Sequence, residues 1–282
     1  MTLLASWVAV DPRGIQSMYM ASDSRITWEK QESQLPYYDH FKKLYACKTR
    51  PEMFGFCGDV TFMSNIIEQL VNLIDAGVIF KVGYSPELKA KTILHFLEDN
   101  YNNSPRGILR LPMELLYCFR MKGGYKARFY CYRFICAKNG CWELRPIPLR
   151  QNRNDSNVSY FICETGTGQD KLKEEINEYI YRKKNGFSRG MFVAFCDALE
   201  KSTPKDAYGG PPQLIGLYRK PNSPAITFGV NYRKKNYYLG QDVDFNANNA
   251  LYNIEWRNDL FEIWDPILRK RKDGAQKQPR NA

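Results

Sequence analysis

The order in which hydrophobic periodicity changes along the chain constrains its fold more than any other feature. Four short strand-type runs come first: Leu3–Val10, Ser17–Asp23, Lys43–Lys48 and Met53–Gly58. Turn chemistry at Asp11-Pro12-Arg13-Gly14 and Thr49-Arg50-Pro51-Glu52 separates them in pairs, and the four predict an antiparallel sheet. The period then lengthens. Phe62, Ile66, Ile67, Leu70, Val71 and Ile74 share one face of a helix ending near Gly77. Ser85-Pro86-Glu87 opens a second helix, serine as N-cap and proline in the first turn, running to about Tyr101. Strands resume as a meander, Met113–Lys122, Tyr125–Lys138 and Gly140–Pro146, around Gly123-Gly124 and Asn139-Gly140. Tyr160–Glu164 follows, then two helices at about 169–184 and 188–201, strands at 213–219 and 224–232, and a hairpin through Lys234-Lys235-Asn236. A last helix is predicted near 250–263. This succession has neither βαβ nor barrel alternation, and it fits two sheets with paired helices outside them.

Bulk properties narrow the function classes. With 282 residues and 44% hydrophobic content the chain can bury a substantial core. No apolar run approaches the roughly 18 residues of a membrane span, and Leu3–Val10 is too short for a secretory signal. Eight cysteines lie mostly inside apolar runs without framework spacing, which reads as reduced core thiols of a cytoplasmic protein. His40 and His95 are far apart and no CxxC pair exists, so neither a metal nor a cofactor is expected. Nearly half of the net charge of +11 comes from the C-terminus, where residues 269–282 hold six basic side chains against Asp273. That distribution reads as a solvated tail, and no nucleic-acid partner is expected from it.

Chemistry is suggested at the start of the chain. A small threonine follows Met1, so trimming the methionine would leave an α-amine and a β-hydroxyl on Thr2. A terminal amine, with a reference pKa of about 7.7–8.0, can act as base for the hydroxyl on its own residue. The first hairpin returns a carboxylate, Asp23, to that end of the strand.

On these residues the chain resembles the N-terminal-nucleophile hydrolases, in particular the proteasome β-subunit superfamily with its HslV- and Anbu-type bacterial members. The resemblance rests on Thr2, Ala21-Ser22-Asp23-Ser24-Arg25, Lys43-Leu44-Tyr45-Ala46, Gly55-Phe56-Cys57-Gly58-Asp59, Gly166-Thr167-Gly168 and Asp206-Ala207-Tyr208-Gly209-Gly210, in that order over residues 2–230. It implies an α+β, four-layer αββα sandwich of two antiparallel sheets flanked by helix pairs. Thr2 would be the nucleophile, with Lys43 and Asp23 tuning it and Asp206 and Thr167 positioning the amine. Backbone N–H groups over Gly55, Phe56 and Gly58 would form the oxyanion hole. Gly209 departs from the pattern, which commonly has serine there.

The expected protein is thus a cytoplasmic threonine peptidase activated by loss of Met1, with residues 1–232 as the hydrolase domain and 233–282 as an extension ending in the basic tail. Polypeptide substrates, a homo-oligomeric ring or spiral, and an ATPase unfoldase are the partners the resemblance implies. The same nucleophile chemistry also suits an amidase or acylase on small amides, and the fold without the chemistry would suit a scaffold subunit.

Overall fold

The change of period read from the sequence is realised as mixed α and β structure, with four α-helices among the described residues. The computed structural model describes residues 2–28, 37–105, 111–151, 158–183, 188–244 and 250–277, the side chains of 180–183 excepted. Strands β1 (Leu4–Asp11) and β2 (Gly14–Ser22) form a hairpin, with Asp11 opposite Gly14. β3 (Leu44–Ala46) and β4 (Glu52–Cys57) form another, followed by α1 (Val60–Asp75) and α2 (Pro86–Asn103). The meander is β5 (Met113–Met121), β6 (Arg128–Cys136) and β7 (Trp142–Ile147). Then come β8 (Tyr160–Thr165), α3 (Gln169–Lys183), α4 (Ser188–Glu200), β9 (Gln213–Tyr218), β10 (Ile226–Tyr232), β11 (Lys235–Tyr238), β12 (Gln241–Asp242) and β13 (Trp256–Asn258).

The opening strands do not share one sheet as expected. β1 and β2 belong to an eight-stranded sheet in the order β8-β1-β2-β9-β10-β11-β12, with β13 paired to β10. β3 and β4 belong to a five-stranded sheet, β3-β4-β5-β6-β7. The chain crosses between the sheets after β2, a step that local turn signals do not encode. The β10–β13 pair is parallel, so the larger sheet is not wholly antiparallel.

Period-2 alternation sends neighbouring side chains into different cores. Leu3, just before β1, and Ala5, Trp7 and Ala9 within it join a cluster with Leu172 and Ile176 of α3 and Phe192, Phe195 and Leu199 of α4. Leu4 and Val8 point the other way, into a cluster with Met20, Leu116, Cys118 and Ile215, drawn from both sheets. β5 divides likewise: Leu116 and Cys118 face that inter-sheet cluster, while Leu115, Tyr117 and Phe119 meet Ile66, Ile67 and Leu70 of α1 and Ile93 and Leu97 of α2. Burying each large apolar side chain contributes about 1.5–3 kcal/mol. The helix starts follow their caps. Asp59 accepts from the Phe62 N–H, and Ser85 from the Leu88 N–H with Pro86 in the first turn.

Two local expectations shift. The β10–β11 turn lies at Arg233-Lys234, both left-handed at φ 50° and 65°, earlier than the expected Lys234-Lys235-Asn236, with Lys235 and Asn236 already in β11. The helix expected near 250–263 is instead a 3₁₀ turn, Ala250–Asn253, followed by β13. Trp256 lies against the backbone of Gly229, where a side chain would overlap its ring, and Asn258 Oδ1 accepts from the N–H groups of Leu260 and Glu262. That packing holds β13 extended against β10, overriding an apolar spacing that also fits a helix. Among the described residues no helix is long and apolar enough to cross a membrane.

Candidate active site

The end of β2 delivers Asp23 into a fully enclosed position, and four donors from four chain segments converge on it. Lys43 Nζ lies 2.7 Å from Oδ1, with both side chains fully buried. The Leu3 N–H donates to the same oxygen at 2.9 Å. Oδ2 accepts from the Gly209 N–H at 2.9 Å and the Arg25 N–H at 3.2 Å. One carboxylate oxygen thus joins the Lys43 ammonium to the amide that links Thr2 to Leu3.

Burial alone would expel a lone ammonium from such a place. It pushes the Lys43 pKa below the ordinary lysine value, against the attraction of Asp23. Removing one partner of a buried pair leaves the other charge uncompensated, at a cost of about 3–5 kcal/mol.

Thr2 is buried, 2% exposed. Its carbonyl accepts from the Gly168 N–H at 3.3 Å. Gly166 sits directly on that carbonyl, where a Cβ would overlap it, and its φ of 93° suits glycine. The Gly166-Thr167-Gly168 turn therefore fixes the Thr2 backbone, while Thr167 itself is exposed. Asp206 is placed differently: its Oδ2 accepts from the Thr203 N–H and hydroxyl, both at 2.7 Å. Its carbonyl, with that of Thr203, accepts from the Arg25 guanidinium. Asp206 therefore meets the Asp23 cluster through its backbone and Arg25.

Among the oxyanion candidates, Gly55 and Phe56 lie inside the ladder, Gly55 opposite Leu44 on one side and Leu116 on the other. The Phe56 side chain belongs to the helix-side core. Gly58 follows the end of β4 with φ 103°. Cys57 Sγ lies 3.7 Å from the Thr165 hydroxyl, and burial raises its thiol to about 11. Thr165 also donates to Glu114, which is held by Arg133 at 2.6–2.9 Å. Together these side chains bridge the two sheets beside β1.

Sequence reading missed Gln213. It is fully buried, and its Oε1 accepts from the N–H groups of Lys43 and Leu44 at 3.0 and 3.3 Å. Its Nε2 donates to Ser24 Oγ at 2.9 Å and to the Phe41 carbonyl at 2.7 Å. One amide therefore joins the end of β2 to the start of β3 across the sheets. The available signal was an amide opening the otherwise apolar Gln-Leu-Ile-Gly-Leu-Tyr strand. The departure at Gly209 also finds a cause: a Cβ there would lie 2.6 Å from Arg25 Cζ, a guanidinium fixed by Asp39 at 2.6 and 3.0 Å.

No known family profile matches the chain, and neither does any curated protein. Among solved structures, it is similar to the crystal structure of eukaryotic HslV from Trypanosoma brucei, at 13% sequence identity and a TM-score of 0.44, with 76% of this chain and 99% of that chain covered.

Proposed function

We propose that the chain is an N-terminal threonine peptidase of the proteasome β type, on an αββα sandwich whose layers are the two helix pairs and the two sheets. The observation that carries the reading is the fully buried Asp23–Lys43 pair, hydrogen-bonded to the amide next to Thr2. After loss of Met1, Thr2 Oγ attacks the carbonyl carbon of the scissile amide as the neutral α-amine takes its proton. The amine then returns a proton to the leaving nitrogen as the C–N bond breaks, giving an ester on Thr2. Water cleaves that ester and restores the hydroxyl.

Lys43 places a positive charge beside the amine, which favours the amine's neutral form and so its action as base. Asp23 holds Lys43, and Gln213 fixes the strand that carries it. Gly58, following the strand end, supplies the oxyanion donor, with Gly55 and Phe56 holding the strand in register behind it. A donor of that kind is worth about 2.7–4 kcal/mol of barrier. The Gly166–Gly168 turn, including Thr167, positions the Thr2 backbone, and Asp206 supports the set through Arg25. Eight free cysteines, seven of them buried, support a reducing, cytoplasmic setting. A homo-oligomer enclosing the sites, served by an ATPase unfoldase, completes the proposal, with residues 233–282 as an extension of the hydrolase domain.

The test is the intact mass of the purified protein with and without a peptide epoxyketone, which reacts with both the amine and the hydroxyl of a terminal threonine. Loss of Met1 and one adduct per chain are expected, together with loss of peptide cleavage in a folded Thr2→Ala variant. Retention of Met1 with no adduct would overturn the reading. Adduct formation with hydrolysis confined to small amides would transfer the activity to the amidase class.

A further inference from the structure

At the far end of the sheets from Thr2, three hairpin turns meet around a cavity of about 400 Å³. They are the β3–β4 turn at Thr49–Pro51, the β5–β6 turn at Lys122–Gly123 and the β9–β10 turn at Pro221–Ser223. The charged side chains lining it are Arg50, Arg120 and Lys122, with no carboxylate among them.

Arg120 is the unusual member. It is 4% exposed, and among the described residues it has no carboxylate within ion-pair distance. Among the described residues its guanidinium donates only to the backbone carbonyls of Lys220 and of Ser223, the latter at 2.8 Å, and its buried Nε–H has no acceptor. Burial depresses its pKa without any counter-charge to oppose the shift. The side chains of Arg50 and Lys122 likewise have no ion-pair partner among the described residues. The nearby acids are engaged elsewhere: Asp75 accepts from Lys48 and Thr49, and Glu52 from Lys89 and Tyr117. A buried charge without a partner is costly enough that proteins rarely keep one, and a bound anion is one way of supplying the missing charge. Lys122 and Asn222, both left-handed at φ 60° and 54°, form the corners of the turns that frame the cavity.

We infer that this cavity is a binding site for a phosphate monoester, with Arg120 as the buried anchor and Arg50 and Lys122 as exposed arms. A dianionic phosphate matches three cations better than a single carboxylate does, and guanidinium groups suit its oxygens through paired N–H donors. The volume exceeds that of inorganic phosphate, leaving room for the esterified part of a small phosphorylated molecule. The site is separate from Thr2 and does not depend on the hydrolase reading.

The test titrates inorganic phosphate into the full chain by calorimetry and by thermal melting, beside sodium chloride at matched ionic strength and sodium acetate. Saturable binding by phosphate, weakened at least about tenfold in both Arg50→Ala and Lys122→Ala, is expected. These residues are exposed, so their loss should leave the fold intact, as circular dichroism would verify. Arg120→Met should abolish binding if it folds. Phosphate acting no differently from chloride, acetate binding as tightly as phosphate, or a folded Arg50→Ala/Lys122→Ala double variant binding unchanged would each overturn the assignment.

Discussion

Two buried carboxylates with lysine partners, Asp23 and Glu52, stand in contrasting settings. Asp23 is paired with a lysine that has no contact with solvent, and three backbone N–H groups complete its acceptor set. Glu52 opens β4 and is held by side chains, Lys89 of α2 and the Tyr117 phenol of β5. The Lys89 side chain keeps 15% of its surface exposed. A carboxylate held by the backbone cannot move away from its lysine, because its donors belong to the sheet and its connecting turns. One held by side chains can give up a partner and recover water. The first arrangement fixes a charge in space beside Thr2; the second ties a helix to a sheet.

The comparison breaks most sharply in activity. Lys43→Met should lower kcat/KM for peptide hydrolysis by at least about 100-fold, the low end for loss of a group that governs proton transfer. Lys89→Met should leave it within about threefold, as initial rates at matched concentrations of folded protein would show. Equal losses in the two variants would dissolve the distinction.

Stability should follow the same order. Asp23→Asn leaves the Lys43 charge buried without its counter-charge and should cost about 3–5 kcal/mol in urea unfolding. Glu52→Gln should cost about 1–3 kcal/mol, because Lys89 can turn to solvent and the amide oxygen still accepts from Tyr117. Reversal of that order would show that the backbone donors do not set the difference.

A smaller effect lies in pH. Burial raises the Glu52 pKa above its ordinary value of 4.5, with Lys89 and Tyr117 opposing the shift. The native state then binds more protons than the unfolded state, so the contribution of Glu52 is fully present below about pH 4.5 and is lost as pH rises through the native pKa. The stability difference between the parent and Glu52→Gln should accordingly shrink from pH 4.5 to pH 7. A difference that grew over that interval would mean that the ion pair, not burial, dominates.

The smallest change is expected at the surface pair Lys42–Glu68, 2.9 Å apart but 38% and 52% exposed. Lys42→Ala should change unfolding stability by no more than about 1 kcal/mol, and added salt should erase the change.

The amino-acid sequence by itself determined what consecutive residues can encode. The period change at Phe62, the Ser85 cap and the Asn139-Gly140 turn each depend on a few neighbouring side chains, and the elements formed where those signals stood. Thr2 and Asp23 were legible as candidates because each stands at the start or end of a readable strand, whereas Lys43 became one only through the resemblance.

Tertiary structure decided everything that needs a partner from elsewhere in the chain. Alternation along β1 cannot say which sheet it joins, since both of its faces are buried. Gln213 reads as an ordinary strand residue until β2 and β3 approach it, and only the fold shows that the Asp206 carboxylate turns to Thr203 while its carbonyl meets Arg25. Trp256–Asn258, within the segment near 250–263, is extended because Trp256 packs on Gly229, a contact between residues 27 positions apart. The reason is physical: secondary structure answers to short-range backbone and side-chain preferences, whereas the pairing of strands and buried charges is settled by where distant segments meet.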